Sequence, residues 1–91
     1  MGHLRADKSA LIQRVRRIAG QVQAVERALA GDADCARTLH LVAATRGAIN
    51  GLLDEIIEEH VREHVAHPDL DAESRRLGAD ELIAAIHRYA K

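Results

Sequence analysis

The sequence is nearly devoid of aromatic residues: one Tyr, no Phe and no Trp in 91 residues. A chain of this size without aromatic anchors has a thin core of its own, so burial between subunits is expected. Proline and cysteine each occur once. Few chain breakers in an aliphatic, alanine-rich sequence favour helix over sheet. The single cysteine, Cys35, has no partner for an internal disulfide, which suits a reducing cytoplasm. No apolar run reaches the roughly 18 residues of a membrane span. Residues 1–5 lack the apolar stretch of a signal peptide. What remains is ordinary for a globular protein, 47% hydrophobic and 30% charged. This composition excludes a mainly disordered chain and fits one domain over 1–91.

The net charge of −1 hides an asymmetry. Residues 1–31 carry Arg5, Lys8, Arg14, Arg16, Arg17 and Arg27 against only Asp7 and Glu26. Residues 50–73 carry Asp54, Glu55, Glu58, Glu59, Glu63, Asp69, Asp71 and Glu73 against Arg62. One segment is suited to an anion and another repels it, so position matters more than the total.

Hydrophobic spacing predicts three helices. Leu11, Val15, Ile18, Val22, Val25 and Leu29 follow alternating steps of four and three, a heptad seam. Helix 1 is expected over about 7–30, with Asp7 as N-cap and Gly31 as stop. Helix 2 is expected over about 34–66, with Asp32 or Asp34 as cap and a stripe of Cys35, Leu39, Val42, Ile49, Leu53, Ile56 and His60. It should end near His67-Pro68, because the residue before proline is driven from helical geometry. Residues 69–74 read as a polar turn and about 75–90 as helix 3, with Leu82, Ile86 and Tyr89 on one face. The short link at Gly31 makes helices 1 and 2 an antiparallel hairpin, in which residues summing to about 63 face each other.

Histidines His60 and His64 stand at i and i+4, which puts both imidazoles on one helix face within reach of one metal ion. Flanked by Glu59 and Glu63, the pair also reads as a charged helix end, and Cys35 alone also reads as a small hydrophobe. Imidazoles with a thiolate suit Ni(II), Co(II) or Zn(II). Cys35 and His60 are about 37 Å apart by helical rise, so they cannot share an ion within one chain. If helix 2 packs antiparallel on its two-fold mate, Cys35 of one subunit meets His60 and His64 of the other when the crossing lies near residue 48. Gly47, Ala48 and Gly51 stand there, and close backbone approach would justify glycines that cost helix stability. The hairpin register adds His3 beside His60. The expected ligand set is His3, His60 and His64 from one subunit and Cys35 from the other, with the terminal amine as a further donor once Met1 is removed.

Helix 1 also carries a basic surface, and Arg46 occupies a seam position in helix 2 where Leu or Ile is expected. These read either as a solvated face with one structural arginine or as phosphate contacts for DNA. No helix-turn-helix, zinc finger or long basic region is visible. A Gly-rich phosphate loop and a serine nucleophile motif are absent too, which argues against an enzyme. A non-regulatory helical scaffold is the remaining alternative.

The segments Arg14-Val15-Arg16-Arg17-Ile18-Ala19-Gly20-Gln21 and Ala43-Ala44-Thr45-Arg46-Gly47-Ala48-Ile49-Asn50-Gly51-Leu52 resemble the CsoR/RcnR/FrmR family of bacterial repressors. The likeness extends over essentially the whole chain. It implies an all-α fold: a three-helix protomer, a dimer with an antiparallel four-helix core, and a homotetramer of two dimers. It implies operator DNA as partner and an inducer that releases it. By similarity, Arg14, Arg17 and Arg46, with Lys8, are the implied DNA contacts. The family's sensing positions match Cys35, His60 and position 64, plus a variable N-terminal position. The set His3, Cys35, His60, His64 looks like the nickel/cobalt branch (RcnR and DmeR types), which represses an efflux exporter. The copper branch would place Cys at 64, and the persulfide branch needs a second cysteine. The formaldehyde branch uses Cys35 with an N-terminal Pro where this chain has Gly2; a formaldehyde-responsive repressor with Cys35 as reactive thiol is the alternative reading.

Overall fold

The computed structural model describes residues 8–89. It contains α1 (Ser9–Ala30), α2 (Cys35–His64) and α3 (Ala72–Tyr89), with no strand among the described residues. The helices fall into two compact units, one spanning Lys8–Leu53 and the other beginning at Asp54. Helix α2 contributes to both.

The first unit is an antiparallel hairpin. Helix α1 stops at Gly31, whose extended backbone (φ −99°, ψ −160°) ends the helix while its N–H still bonds the Arg27 carbonyl. Helix α2 is started by Asp34, whose Oδ1 accepts the Arg37 N–H at 2.7 Å, the geometry of a side-chain N-cap. The turn therefore occupies residues 31–34 and is centred later than the sequence spacing predicts. A sum of 63 would set Gly51 against Ile12; in the structure the side chain that reaches Gly51 is that of Arg14. At the other end of α1 the N-cap is Lys8, which makes no side-chain capping bond. Asp7, expected in that role, lies outside the described residues.

The heptad reading of these helices needs a correction. On α1, Ile18 and Ala28 are buried and Leu11, Arg14, Gln21 and Val25 half-buried, whereas Val15, Val22 and Leu29 are exposed. On the hairpin part of α2, Thr38, Leu41, Thr45, Ala48, Gly51, Leu52 and Leu53 are covered, and Leu39, Val42 and Ile49 are exposed. The hairpin thus closes on Leu11, Ile18, Val25, Leu41 and Leu52 together with small and polar side chains, beside the exposed aliphatic positions. Small side chains allow close helix approach, and Thr45 is buried because its hydroxyl donates to the Leu41 carbonyl at 2.8 Å. Of the predicted stripes, Leu11, Ile18, Val25 and Leu53 are covered in the single chain, while Val15, Val22, Leu29, Leu39, Val42, Ile49 and Ile56 face outward.

In the second unit, α2 closes at His64, a little before the expected end. The amides of Val65 and Ala66 both bond the Val61 carbonyl. Helix α3 starts at Ala72, earlier than the expected residue 75, because Asp71 caps it: Asp71 Oδ1 accepts the Ser74 N–H at 2.7 Å. The connection is held by Arg75, whose guanidinium donates to the carbonyls of Val65 and Leu70. On α3, Leu82 is half-buried while Ile86 and Tyr89, expected on the same face, are exposed.

Gly78 is the buried residue of α3. A Cβ there would stand 1.8 Å from the His64 carbonyl oxygen, and that neighbour is backbone. Gly78→Ala must therefore push α3 away from the end of α2. Overpacking of this kind costs about 1–3 kcal/mol, so thermal unfolding followed by circular dichroism should show a clearly lowered midpoint. An unchanged midpoint would contradict the close approach. The Asp71 cap gives a second test. Bonds from the Ser74 backbone and side chain hold the Asp71 carboxyl below its ordinary 3.8. Its stabilising contribution is complete above that unfolded value and is lost as the pH falls through the lower folded one. Asp71→Asn should flatten this part of the acid unfolding curve, and a curve identical to wild type would refute the assignment.

Candidate functional site

The paired imidazoles are built by helix periodicity. His60 and His64 lie one turn apart near the end of α2, with ring centroids 5.1 Å apart and planes inclined at 42°. Both are half-buried. His60 Nε2 lies 2.8 Å from the carbonyl oxygen of Gly78. A carbonyl only accepts, so Nε2 carries the proton and donates it. In the neutral ring this is the Nε2–H tautomer, with the Nδ1 lone pair available as a donor to a metal. A histidine whose second nitrogen is anchored to a backbone carbonyl has the arrangement usual for metal-binding imidazoles. The acidic neighbour Glu59 is drawn to Arg62 at 3.0 Å, and Arg62 also pairs with Glu58. These are surface pairs of small energetic weight.

Among the described residues, no three His, Cys, Asp or Glu side chains converge as metal ligands. The chain presents two neighbouring imidazoles, and their donor chemistry fits a borderline divalent metal. Cys35 is exposed and opens α2 in the hairpin unit, while His60 and His64 belong to the unit beginning at Asp54. His3, the remaining expected ligand, lies outside the described residues. Sequence reasoning missed Gly78 and Arg75. The interior glycine of a predicted helix was the available signal for the first; nothing marked the second.

The basic residues separate into two kinds. Lys8, Arg17 and Arg46 are exposed, whereas Arg14 is half-buried. Arg14 and Arg17 line a groove of about 390 Å³ with Ile18, Gln21 and Ala48. Arg14 and Arg17 are i, i+3 neighbours on one flank of α1, as the spacing predicted.

A profile for metal-sensitive transcriptional repressors matches residues 7–88. The chain belongs to this family. It is accordingly a member of a family of regulators, which are not enzymes. It is 37% identical over 91 residues to the transcriptional repressor RcnR of Salmonella paratyphi B, covering all of both chains. It is 42% identical over 91 residues, again covering all of both chains, to an uncharacterized protein from the bioA 5' region of Serratia marcescens. A solved structure of the formaldehyde-responsive regulator FrmR from Salmonella enterica serovar Typhimurium, in a Glu-to-His variant, superimposes with a TM-score of 0.86. That match has 38% identity and covers 97% of this chain and 99% of the other. The repressor family and its all-helical fold agree with the resemblance read from the sequence. No helix among the described residues is long and apolar enough to cross a membrane.

The His60 contact makes a direct prediction. Long-range proton–nitrogen correlation spectra of the neutral ring should show the Nε2–H tautomer for His60. A spectrum with the proton on Nδ1 would contradict the hydrogen bond to Gly78 and leave Nδ1 unable to bind a metal in that state.

Proposed function

We propose that the chain is a cytoplasmic, operator-binding repressor that senses Ni(II) or Co(II) and derepresses a metal efflux gene. The observation that carries this reading is the half-buried His60–His64 pair with His60 anchored by the Gly78 carbonyl. The pair supplies two imidazoles; His3 and the Cys35 thiolate of a second protomer complete the proposed set. Zn(II) is accommodated by the same donors. The metal would supply a fixed charge and a preferred geometry, and it biases the repressor only in so far as it prefers the DNA-free form. The similarity to RcnR supports this branch.

The exposed aliphatic stripes support the assembly. Leu39 is 65% and Leu29 70% exposed, and burying such a side chain is worth about 1.5–3 kcal/mol. Covering the α2 stripe with its copy in a second chain gives the proposed antiparallel dimer, and two such dimers the proposed tetramer. Gly47 has nothing within 4 Å of a built Cβ, so its small size is left for that crossing to use. Gly51 faces Arg14 of its own chain, so it does not need the dimer to explain it. On this reading Lys8, Arg14, Arg17 and Arg46 neutralise phosphates of the operator.

The exposed thiol of Cys35 and the similarity to FrmR favour one other reading, in which Cys35 captures formaldehyde. The two separate cleanly. Titrating Ni(II) or Co(II) into operator-bound wild type should weaken DNA binding by about 5–150-fold, the usual range of allosteric coupling. Cys35→Ala and His64→Ala should keep metal-free affinity and lose the response. Unchanged operator affinity at saturating metal sinks the metal reading. A methylene crosslink between Cys35 and the N-terminus after formaldehyde treatment, seen by mass spectrometry, would establish the other.

A further inference from the structure

The helical glycines of this chain meet different surroundings. Gly20 and Gly47 face open space, and Gly78 faces backbone. Gly51 faces a guanidinium: a Cβ built there would stand 2.6 Å from Arg14 Nη1 and 3.8 Å from Arg14 Cζ. Both residues lie in the hairpin unit and both are half-buried. Glycine in a helix interior is unfavourable relative to alanine, and close approach of the Arg14 fork is a physical reason to place it at 51.

We propose that Gly51 is a positioning residue for DNA binding: its missing side chain leaves a notch in α2 that seats the Arg14 guanidinium, and this seat sets how Arg14 meets a phosphate. The proposal rests on the operator-binding reading above. A free arginine samples many rotamers and must surrender them on binding. A guanidinium already laid over α2 surrenders less, and its planar fork keeps one orientation toward an anion. Arg17 lines a groove with Arg14, Ile18, Gln21 and Ala48, so the two cations stand together on the hairpin. A methyl group at 51 displaces the far end of a flexible side chain and leaves the backbone in place. Gly51→Ala therefore moves Arg14 while improving helix propensity, which keeps loss of folding from imitating the effect.

The test uses the full chain and a labelled duplex from the region upstream of its own coding sequence. It compares wild type, Gly51→Ala, Arg14→Ala and the double variant. The Arg14 Nε–H resonance should shift or broaden in Gly51→Ala. Duplex affinity should fall about tenfold, and the salt slope should shrink by about 0.9 for each phosphate the protein no longer neutralises. In the Arg14→Ala background, Gly51→Ala should have no further effect. An unaltered Arg14 resonance overturns the proposal, as does an equal loss of affinity in the Arg14→Ala background or a gain of affinity with a steeper salt slope. If Arg14→Ala leaves affinity unchanged while Gly51→Ala still moves the Arg14 resonance, the seat is real but the DNA role of Arg14 fails, and the positioning role fails with it.

Discussion

The hydrogen bond from His60 to the Gly78 carbonyl fixes an imidazole tautomer, a helix approach and a glycine together. The carbonyl is within reach because α3 comes so near the end of α2 that no side chain fits at 78. The approach is supported from behind by Arg75, which takes up the Val65 and Leu70 carbonyls at the connection. Those carbonyls belong to chain that has left the α2 ladder, where a helix end otherwise leaves acceptors unsatisfied. His60, part of the proposed half-site, is therefore held in place by backbone. Displacing α3 would change the donor that a metal meets at His60, and a bound metal at Nδ1 would in turn strengthen the hold of Nε2–H on α3.

The hairpin obeys a different constraint. Its inner seam joins Thr38, Leu41, Thr45, Ala48, Gly51 and Leu52 on α2 to Leu11, Ile18, Gln21, Val25 and Ala28 on α1, and no side chain among the described residues is fully buried. Because most of these side chains are only half-covered, the seam removes limited apolar surface from water and by the area rule contributes modest stability. Many large aliphatic side chains, Val15, Val22, Leu29, Leu39, Val42 and Ile49 among them, lie on the outward faces. This is a sequence whose local structure is complete in one chain while much of its hydrophobic stabilisation is deferred, which fits the proposed assembly.

The helices, their order and the Gly31 stop were legible because heptad spacing, a glycine and a single proline mark them directly. The His60–His64 pair was legible for the same reason: a spacing of four is a statement about one helix face. The choice between two apolar faces was not legible, because Leu11, Ile18 and Val25 belong equally to a seam through Val15 and Val22 and to one through Arg14 and Gln21. Periodicity favours the greasier neighbours; the structure favours the smaller and polar ones. The start of α3 was misplaced because Asp71 and Ser74, read as a turn, are a cap. Arg75 and Gly78 act through tertiary contacts that sequence spacing does not contain.

Charge assigns the two proposed chemistries to different parts of the chain. The cations proposed to meet DNA lie within Lys8–Leu53, and the imidazole pair lies beyond Asp54 among Glu58, Glu59 and Glu63. An acidic segment repels phosphate and favours a cation, so the surroundings of the proposed metal half-site disfavour DNA. Helix α2 is common to both units, and it carries Cys35 and Gly51 at one side of the division and His60 at the other. A metal joining His60 of one chain to Cys35 of another would thus bind the two kinds of unit into one energetic system. Coupling of this sort is reciprocal: to the extent that metal lowers DNA affinity, operator DNA must lower metal affinity by the same factor.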